Sequence, residues 1–513
     1  MASLTLIPGG QTKDFPSSTR LLDALLDMGV VVSSPCGGKG SCGKCGIRCD
    51  GGLSAKTDLE KNVTGNNARS RLACQAELTD DVTVFIDEKR IPLQKSYPAV
   101  NPEDRYAIAA DIGTTSVSVD LVCLTNGKQI SLDTFLNPQR RFGHDVISRI
   151  AAANNPENKK IMTRQIRQAV LGTITEAISA MKVPLSHIEK IVFSGNTTML
   201  YLLFGMDVSG LGRFPFEAFC LDFDGIEPSA IDAGMFPNAR ISAVPAVSAF
   251  LGGDFLGGLT LCREKEYREN TFFIDLGTNG EMFLINGSGP IYATSCAMGP
   301  ALEGINISRG MTADEGAITH VRIDFGELVH TKIGDAPPVG LSGTALIDLV
   351  ALFLSEGCIR KNGRFADDGL LNLPGPATFE KGEKSKQIRL WNDIAISQKD
   401  VRNLQLAKAA SLAAARLMLQ EAGCAADDVT RVLIAGDLGS HLDKDNFRSL
   451  GFLPDFPNAT FHFLGNTSLQ AAASICVDEL FYQKAVQSRG RVREVVLSGN
   501  PEFSKEFIKS IEF

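Results

Sequence analysis

The chain has 513 residues, of which 44% are hydrophobic and 21% charged, with a net charge of −8. That length suggests roughly three domains with ordinary packed cores, and the acidic balance argues against a nucleic-acid partner or an anionic membrane surface. Residues 1–10 lack the basic start and long apolar run of a signal peptide, and no apolar run reaches the ~18 residues of a membrane span, so a cytoplasmic protein is expected.

Residues 1–92 read as a small α+β module. The stretch from Ser3 to Pro8 alternates like a strand. Ser17, Ser18 and Thr19 offer caps for a helix through Leu21, Leu22, Leu25 and Leu26. A glycine-rich loop then carries Cys36, Cys42 and Cys45, spaced C-x5-C-x2-C, and Cys74 follows after 28 residues. Four thiolates in this pattern suit a [2Fe-2S] cluster, whose plant-type spacing is one residue shorter before the second ligand. Gly37, Gly38, Gly40 and Gly43 let the backbone turn its N–H groups towards the sulfurs. The alternatives are a disulfide loop or a zinc site, although zinc usually takes two C-x2-C pairs. Cys49 is either a buried spare thiol or a substitute for Cys74; the distant Cys74 is favoured because a remote fourth ligand is the [2Fe-2S] habit. Gly38, Gly43 and Lys44 mimic the start of a P-loop, but Cys45 stands where the Mg²⁺-binding Ser or Thr belongs. A loop-rich stretch leads to a closing strand at 82–86. Strand, helix, cysteine loop and closing strand resemble the ferredoxin β-grasp domain.

Residues 93–104, with Pro98 and Pro102, read as a linker. Beyond it, an apolar strand ends in Asp111, turns at Gly113, Thr114 and Thr115, and returns as an alternating strand. The unit recurs about 160 residues later: Asp275, Gly277, Thr278, Asn279, then Glu281 on the return strand. Such duplication suggests two facing halves, 105–265 and 266–513. A third glycine turn, Gly436 to Ser440 with Gly439, follows the strand at Arg431. A Gly-Thr hairpin presents N–H groups and hydroxyls to an anion, and an aspartate at each strand end can hold Mg²⁺ directly or through water. Two facing hairpins would clamp a polyphosphate. Ordinary hairpins also carry Asp-Gly-type turns, but here the pattern occurs twice and a third turn accompanies it. Glu281 either orients water or is structural.

These turns resemble the phosphate-1, phosphate-2 and adenosine motifs of the acetate and sugar kinase, Hsp70 and actin superfamily. The resemblance implies an α+β β-grasp ferredoxin domain followed by an α/β two-subdomain actin-like ATPase fold. It implies that ATP phosphates meet Gly113, Thr114, Thr115, Gly277, Thr278 and Asn279, that Asp111 and Asp275 position Mg²⁺, and that Gly436 and Gly439 line the adenosine. Connecting helices are expected at Ala243–Asp254 and at Leu464–Ala473.

A ferredoxin domain fused ahead of this fold resembles the reductive activators of corrinoid-dependent methyltransferase systems, such as those of acetogenic O-demethylases. Matching segments include Asn137–Gln139, Phe142–Val146, Ser194–Met199, Ser295–Gly304, Ser308–Met311, Leu341–Thr344 and Gly465–Ser468. The family's task is ATP-dependent, one-electron reduction of Co(II) to Co(I) on a corrinoid protein. A separate corrinoid protein is therefore the expected partner, since none of the six His residues sits in an Asp-x-His-x-x-Gly signature. A low-potential electron donor of unknown identity is expected too. The loop Ser295–Glu303 either approaches the corrinoid or is a packing turn. Some members carry a middle domain at the linker; this chain reads as lacking it, which removes the basis for carrying over their dimer arrangement and leaves a homodimer open. The rival readings are a ferredoxin-type electron carrier with a regulatory nucleotide domain, a small-molecule kinase with a redox sensor, and an activator of another low-potential enzyme.

Overall fold

The computed structural model describes every residue except 9, 29, 31, 33–44, 65–68, 87–96, 266, 268–269, 314, 367–372, 382–385, 392–393 and 437. Cys36, Cys42 and most of the glycine-rich loop lie outside the described residues. The chain forms two contact units. One joins residues 1–102 with 136–183, and the other joins 103–135 with 184–513.

The first unit opens with β1 (Ala2–Ile7), β2 (Thr12–Phe15), α1 (Leu21–Asp27), β3 (Gly46–Leu53), α2 (Asp58–Thr64), β4 (Ser70–Leu72) and β5 (Leu78–Phe85). The strands form one sheet in the order β2-β1-β5-β3-β4. β1 and β5 run parallel, while β3 is antiparallel to both β4 and β5. Alternation explains the core: Leu4 and Leu6 on β1 and Val82 and Val84 on β5 turn inward against Leu21, Leu22 and Leu25 of α1. The segment between Cys45 and Val82, expected to be loop-rich, is instead β3, α2 and β4. β3 tolerates its polar Asp50-Gly51-Gly52 run because a bulge there brings the glycine backbone against β5. Glu60 on α2 is fully buried and forms an ion pair with Arg71 at 2.7 Å, while also accepting from the Leu72 N–H at 2.8 Å. The same unit holds α3 (Val146–Ala153), capped by Asp145, and α4 (Pro156–Ala180), capped by Asn155 with Pro156 in its first turn.

The second unit contains two six-stranded sheets. The first is built from β6 (Tyr106–Ile112), β7 (Ser116–Cys123), β8 (Gln129–Leu136), β9 (Ile188–Ser194), β10 (Phe223–Ile226) and β11 (Arg240–Ala243), with α5 (Thr197–Phe204) after β9. After α6 (Gly253–Glu264) come β12 (Thr271–Leu276), β13 (Asn279–Ile285) and β14 (Ile291–Ala297). Then follow β15 (Ala317–Asp324), β16 (Glu327–Lys332), β17 (Gly340–Leu341), α7 (Gly343–Ser355), β18 (Thr378–Lys381), β19 (Lys386–Arg389), β20 (Ala395–Ser397) and α8 (Gln398–Ala422). The chain closes with β21 (Arg431–Ala435), α9 (Lys444–Ser449), β22 (Thr460–Gly465), α10 (Thr467–Val477), α11 (Glu479–Arg489), β23 (Val492–Glu494) and α12 (Pro501–Lys509).

The two large sheets repeat one topology. The first reads β11-β9-β6-β7-β8 inward from β10, and the second reads β22-β21-β12-β13-β14 before β23. In each, an antiparallel hairpin (β6–β7, β12–β13) has parallel strands added on one side. β6 and β12 are buried almost throughout, as strands covered on both faces should be. The duplication read from Asp111 and Asp275 is thus a duplication of sheets.

One expected helix needs correcting. Val244–Gly252 is loop, and α6 begins only at Gly253. Pro245 lies in this stretch, the Ser248 hydroxyl accepts from the Phe250 and Leu251 N–H groups, and the Val244 N–H pairs with the Phe193 carbonyl. These local bonds replace a helical ladder. The second expected helix is present as α10, capped by Asn466. Among the described residues no helix is long and apolar enough to cross a membrane.

Candidate functional site

Two sites follow from the sequence, one in each unit. In the first, Cys45 lies in the turn before β3 and Cys74 two residues after β4. Their sulfurs are 3.2 Å apart and both residues are buried. That is far beyond a disulfide bond of about 2.05 Å. It is within about half an ångström of the ~3.8 Å between two thiolates sharing a tetrahedral metal with ~2.3 Å bonds. The residues present therefore fit a metal–sulfur group. The chain is held for this: the Ala73 N–H donates to the Cys45 carbonyl at 3.0 Å, and the buried Arg71–Glu60 pair fixes the strand leading to Cys74. The Gln75 side-chain amide donates to the Cys74 sulfur at 3.7 Å, the kind of bond that tunes a cluster's potential. Cys49 projects from β3 on the same buried face as Ile47, and burial pushes its thiol up to about 11. It is Cys74, not Cys49, whose sulfur lies beside that of Cys45. Cys36 and Cys42 lie outside the described residues.

In the second unit the two hairpins converge. Asp111 and Asp275 stand near the ends of β6 and β12, and the turns Gly113–Thr115 and Gly277–Thr278 follow them. The Thr115 and Thr278 hydroxyls lie 3.4 Å apart and both donate to one carboxylate, that of Glu303; the Thr278 bond is 2.7 Å. Thr114 is held by the Asn196 amide at 3.0 Å, and the Asn196 carbonyl oxygen caps α5. Asn279 opens β13, and its carbonyl accepts from the Gly277 N–H at 3.1 Å. Gly436, at φ +91°, faces Asp275: a Cβ there would sit 2.7 Å from the Asp275 carboxylate and 2.6 Å from the Leu276 carbonyl. Only glycine allows this approach. Gly439 begins the short turn that follows, packed on Ile434.

The site is rich in negative charge. Asp111 accepts from Asn466 at 2.9 Å and from Ser468 at 2.7 Å, both at the start of α10. Asp254, in the first turn of α6, is pushed up to about 7, first by burial and then by Asp111. Glu281, with Ser295 donating to it at 3.2 Å, is held well above the usual carboxylate range by burial, with Asp254 and Asp275 adding to it. Carboxyls raised by burial, and further by one another's charge, are what a bound cation would relieve. Among the described residues no group of three or more His, Cys, Asp or Glu is set to hold a metal ion by itself.

The structure thus brings Thr115, Thr278, Asp111, Asp275 and Glu281 into one region. Sequence reasoning left Asp254, Asn466 and Ser468 without a role and treated Glu303 only as the end of a loop near a partner. A signal was present: Asp254 follows Gly252-Gly253, and Glu303 precedes Gly304 in a turn opened by Gly299. What ties them to the hairpins is long-range.

Comparisons with known proteins agree along the chain. Residues 5–79 match the 2Fe-2S iron-sulfur cluster binding domain, 106–266 the RACo middle region, and 269–513 the C-terminal domain of RACo, the ASKHA domain. The family's middle region is therefore present, directly after the linker. That match covers the segment read from the sequence as the first of the two facing halves, 105–265. The corrinoid activation enzyme RamQ of Eubacterium limosum is 33% identical over 70% of this chain; the match spans 62% of RamQ. The [Co(II) methylated amine-specific corrinoid protein] reductase of Methanosarcina barkeri is 26% identical over 73% of this chain and 70% of its own length. A solved reductive activator for corrinoid, iron-sulfur protein superposes over the whole chain and 98% of its own, with a TM-score of 0.73 and 25% identity. The chain belongs to the RACo family, with the 2Fe-2S domain, the middle region and the ASKHA domain in that order.

Proposed function

We propose that this protein uses ATP, bound between the two hairpins, to drive one-electron reduction of a Co(II) corrinoid on a separate protein to Co(I). The observation that carries the reading is the convergence of Thr115 and Thr278 on a single anionic group. Two hairpins that meet on a carboxylate have the donors to meet on a phosphate. In this reading Gly113, Thr114, Thr115, Gly277, Thr278 and Asn279 hold phosphates, Asp111 and Asp275 position Mg²⁺, and Gly436 and Gly439 lie on the adenosine side. Glu281, held well above the usual carboxylate range by burial, is the residue that would orient water.

Cys36, Cys42, Cys45 and Cys74 would hold the [2Fe-2S] group, which supplies one electron at about −400 mV if it resembles plant-type clusters. Co(I) lies lower still, so the transfer runs uphill. Each 100 mV of gap costs about 2.3 kcal/mol per electron. Hinge closure around ATP is the source of that free energy. The electron donor is a low-potential carrier, and the setting is the cytoplasm.

The test mixes the reduced holoprotein with a Co(II) corrinoid protein, with and without MgATP, and follows the visible spectrum. Co(I) is expected to accumulate only with MgATP. Equal Co(I) without nucleotide would overturn the proposal.

A further inference from the structure

We propose that Glu303 holds the seat of a nucleotide phosphate in the nucleotide-free protein, so that a polyphosphate must evict it and in doing so moves the loop that carries it. The inference rests on the reading of the cleft as an ATP site and adds its regulation.

Thr115 and Thr278 are buried, so their hydroxyls need an acceptor inside the protein. Glu303 provides it with both oxygens, Oε2 to Thr115 and Oε1 to Thr278. A hydroxyl has one proton to donate. Neither threonine can donate to a phosphate oxygen while it donates to Glu303, and two anions cannot share the gap without strong repulsion. Occupancy is therefore exclusive.

Glu303 is also linked to the elements around it. It ends the single turn Pro300–Glu303, with Gly299 at φ +75° before it and Gly304 at φ +72° after it. The upstream glycine is tied to the second hairpin, its N–H donating to the Thr278 carbonyl at 3.1 Å. Downstream, the Ser308 N–H donates to Asp400 at 2.9 Å, and the Asn403 amide to the Asn306 carbonyl at 2.8 Å; both partners lie in the first turns of α8. Leu302 packs its carbonyl on Gly343 at the start of α7. Eviction of Glu303 is thereby delivered to the N-terminal ends of α7 and α8. Adenosine, which has no phosphate, leaves the seat alone.

The experiment measures MgATP and adenosine binding to the wild-type holoprotein, Glu303→Ala and Glu303→Gln, together with hydrogen exchange of residues 299–311. Glu303→Ala is expected to bind MgATP about tenfold tighter with adenosine unchanged, and Glu303→Gln to shift the same way by less. MgATP should raise exchange of 299–304 in the wild type, whereas Glu303→Ala should show the raised level without nucleotide. MgATP binding that is unchanged or weaker in both variants, or wild-type exchange that ignores MgATP, overturns the inference while leaving the ATP site standing. Absence of nucleotide binding in all three proteins overturns the ATP site and this inference together.

Discussion

The cysteine site and the hairpin cleft are assembled in opposite ways. Cys45 and Cys74 come from one short module, and the strand between them is pinned by a buried ion pair and a backbone bond. The cleft gathers side chains from six separated places: Asp111 to Thr115, Asn196, Asp254, Asp275 to Glu281, Glu303, and Asn466 with Ser468. In the first, the contacts around Cys45 and Cys74 are local to that module. The second holds carboxyls at one another's expense, an arrangement that changes when a cation and phosphates arrive.

The comparison breaks most sharply at Cys74. Cys74→Ser should abolish cluster absorbance and the reduced EPR signal, and with them cobalt reduction, while MgATP binding survives. Retained cluster signal would put the fourth ligand elsewhere. Next is Glu60→Ala, which leaves the Arg71 guanidinium buried without its carboxylate; a loss of about 3–5 kcal/mol is expected for a broken buried pair. Thermal loss of cluster absorbance would report it, with nucleotide affinity unmoved.

In the cleft, Asp275→Asn should weaken MgATP roughly 10–100-fold, the scale of losing a charged contact worth about 1.5–3 kcal/mol, and leave adenosine binding intact. Titration should show both differences at once.

The smallest expected effect is the pH response. The Asp254 carboxyl titrates at about 7 in the folded chain against an ordinary value of 3.8, so the folded state binds more protons between them. Its contribution to stability is complete below the ordinary value and is lost as pH rises through about 7. Without nucleotide, the melting temperature should fall over that window, and Asp254→Asn should flatten the fall. MgATP binding near neutral pH should release protons, measurable as a buffer-dependent heat, and the variant should release fewer.

Much of this was legible in the residues, and the rest for physical reasons was not. The approach of Cys45 to Cys74 was expected because their place in the cysteine pattern suits a shared group. Asp111 and Asp275 were readable because the same turn appears twice. β3 and β4 were hidden by Asp50-Gly51-Gly52, whose polar, flexible look gives no sign that β5 covers it. The false helix over Val244–Gly252 came from the superfamily resemblance, which places a connecting helix there; the local bonds of Ser248 overrode it. Glu303 was hidden because nothing near it in the chain announces two threonines that are 188 and 25 residues away.

α6 packs with Phe255 and Leu259 on the second sheet, against Phe273 and Phe283, while α10 lays Ala471 to Ala473 on the first, against Ala107 and Val192. Where the two helices cross, a Cβ on Gly257 would come within 2.5 Å of the Ala471 methyl, so almost nothing separates the backbones. A larger side chain at Gly257 would have to push the two helices apart. The separation of these two helices is therefore set by a glycine that lies outside both hairpins.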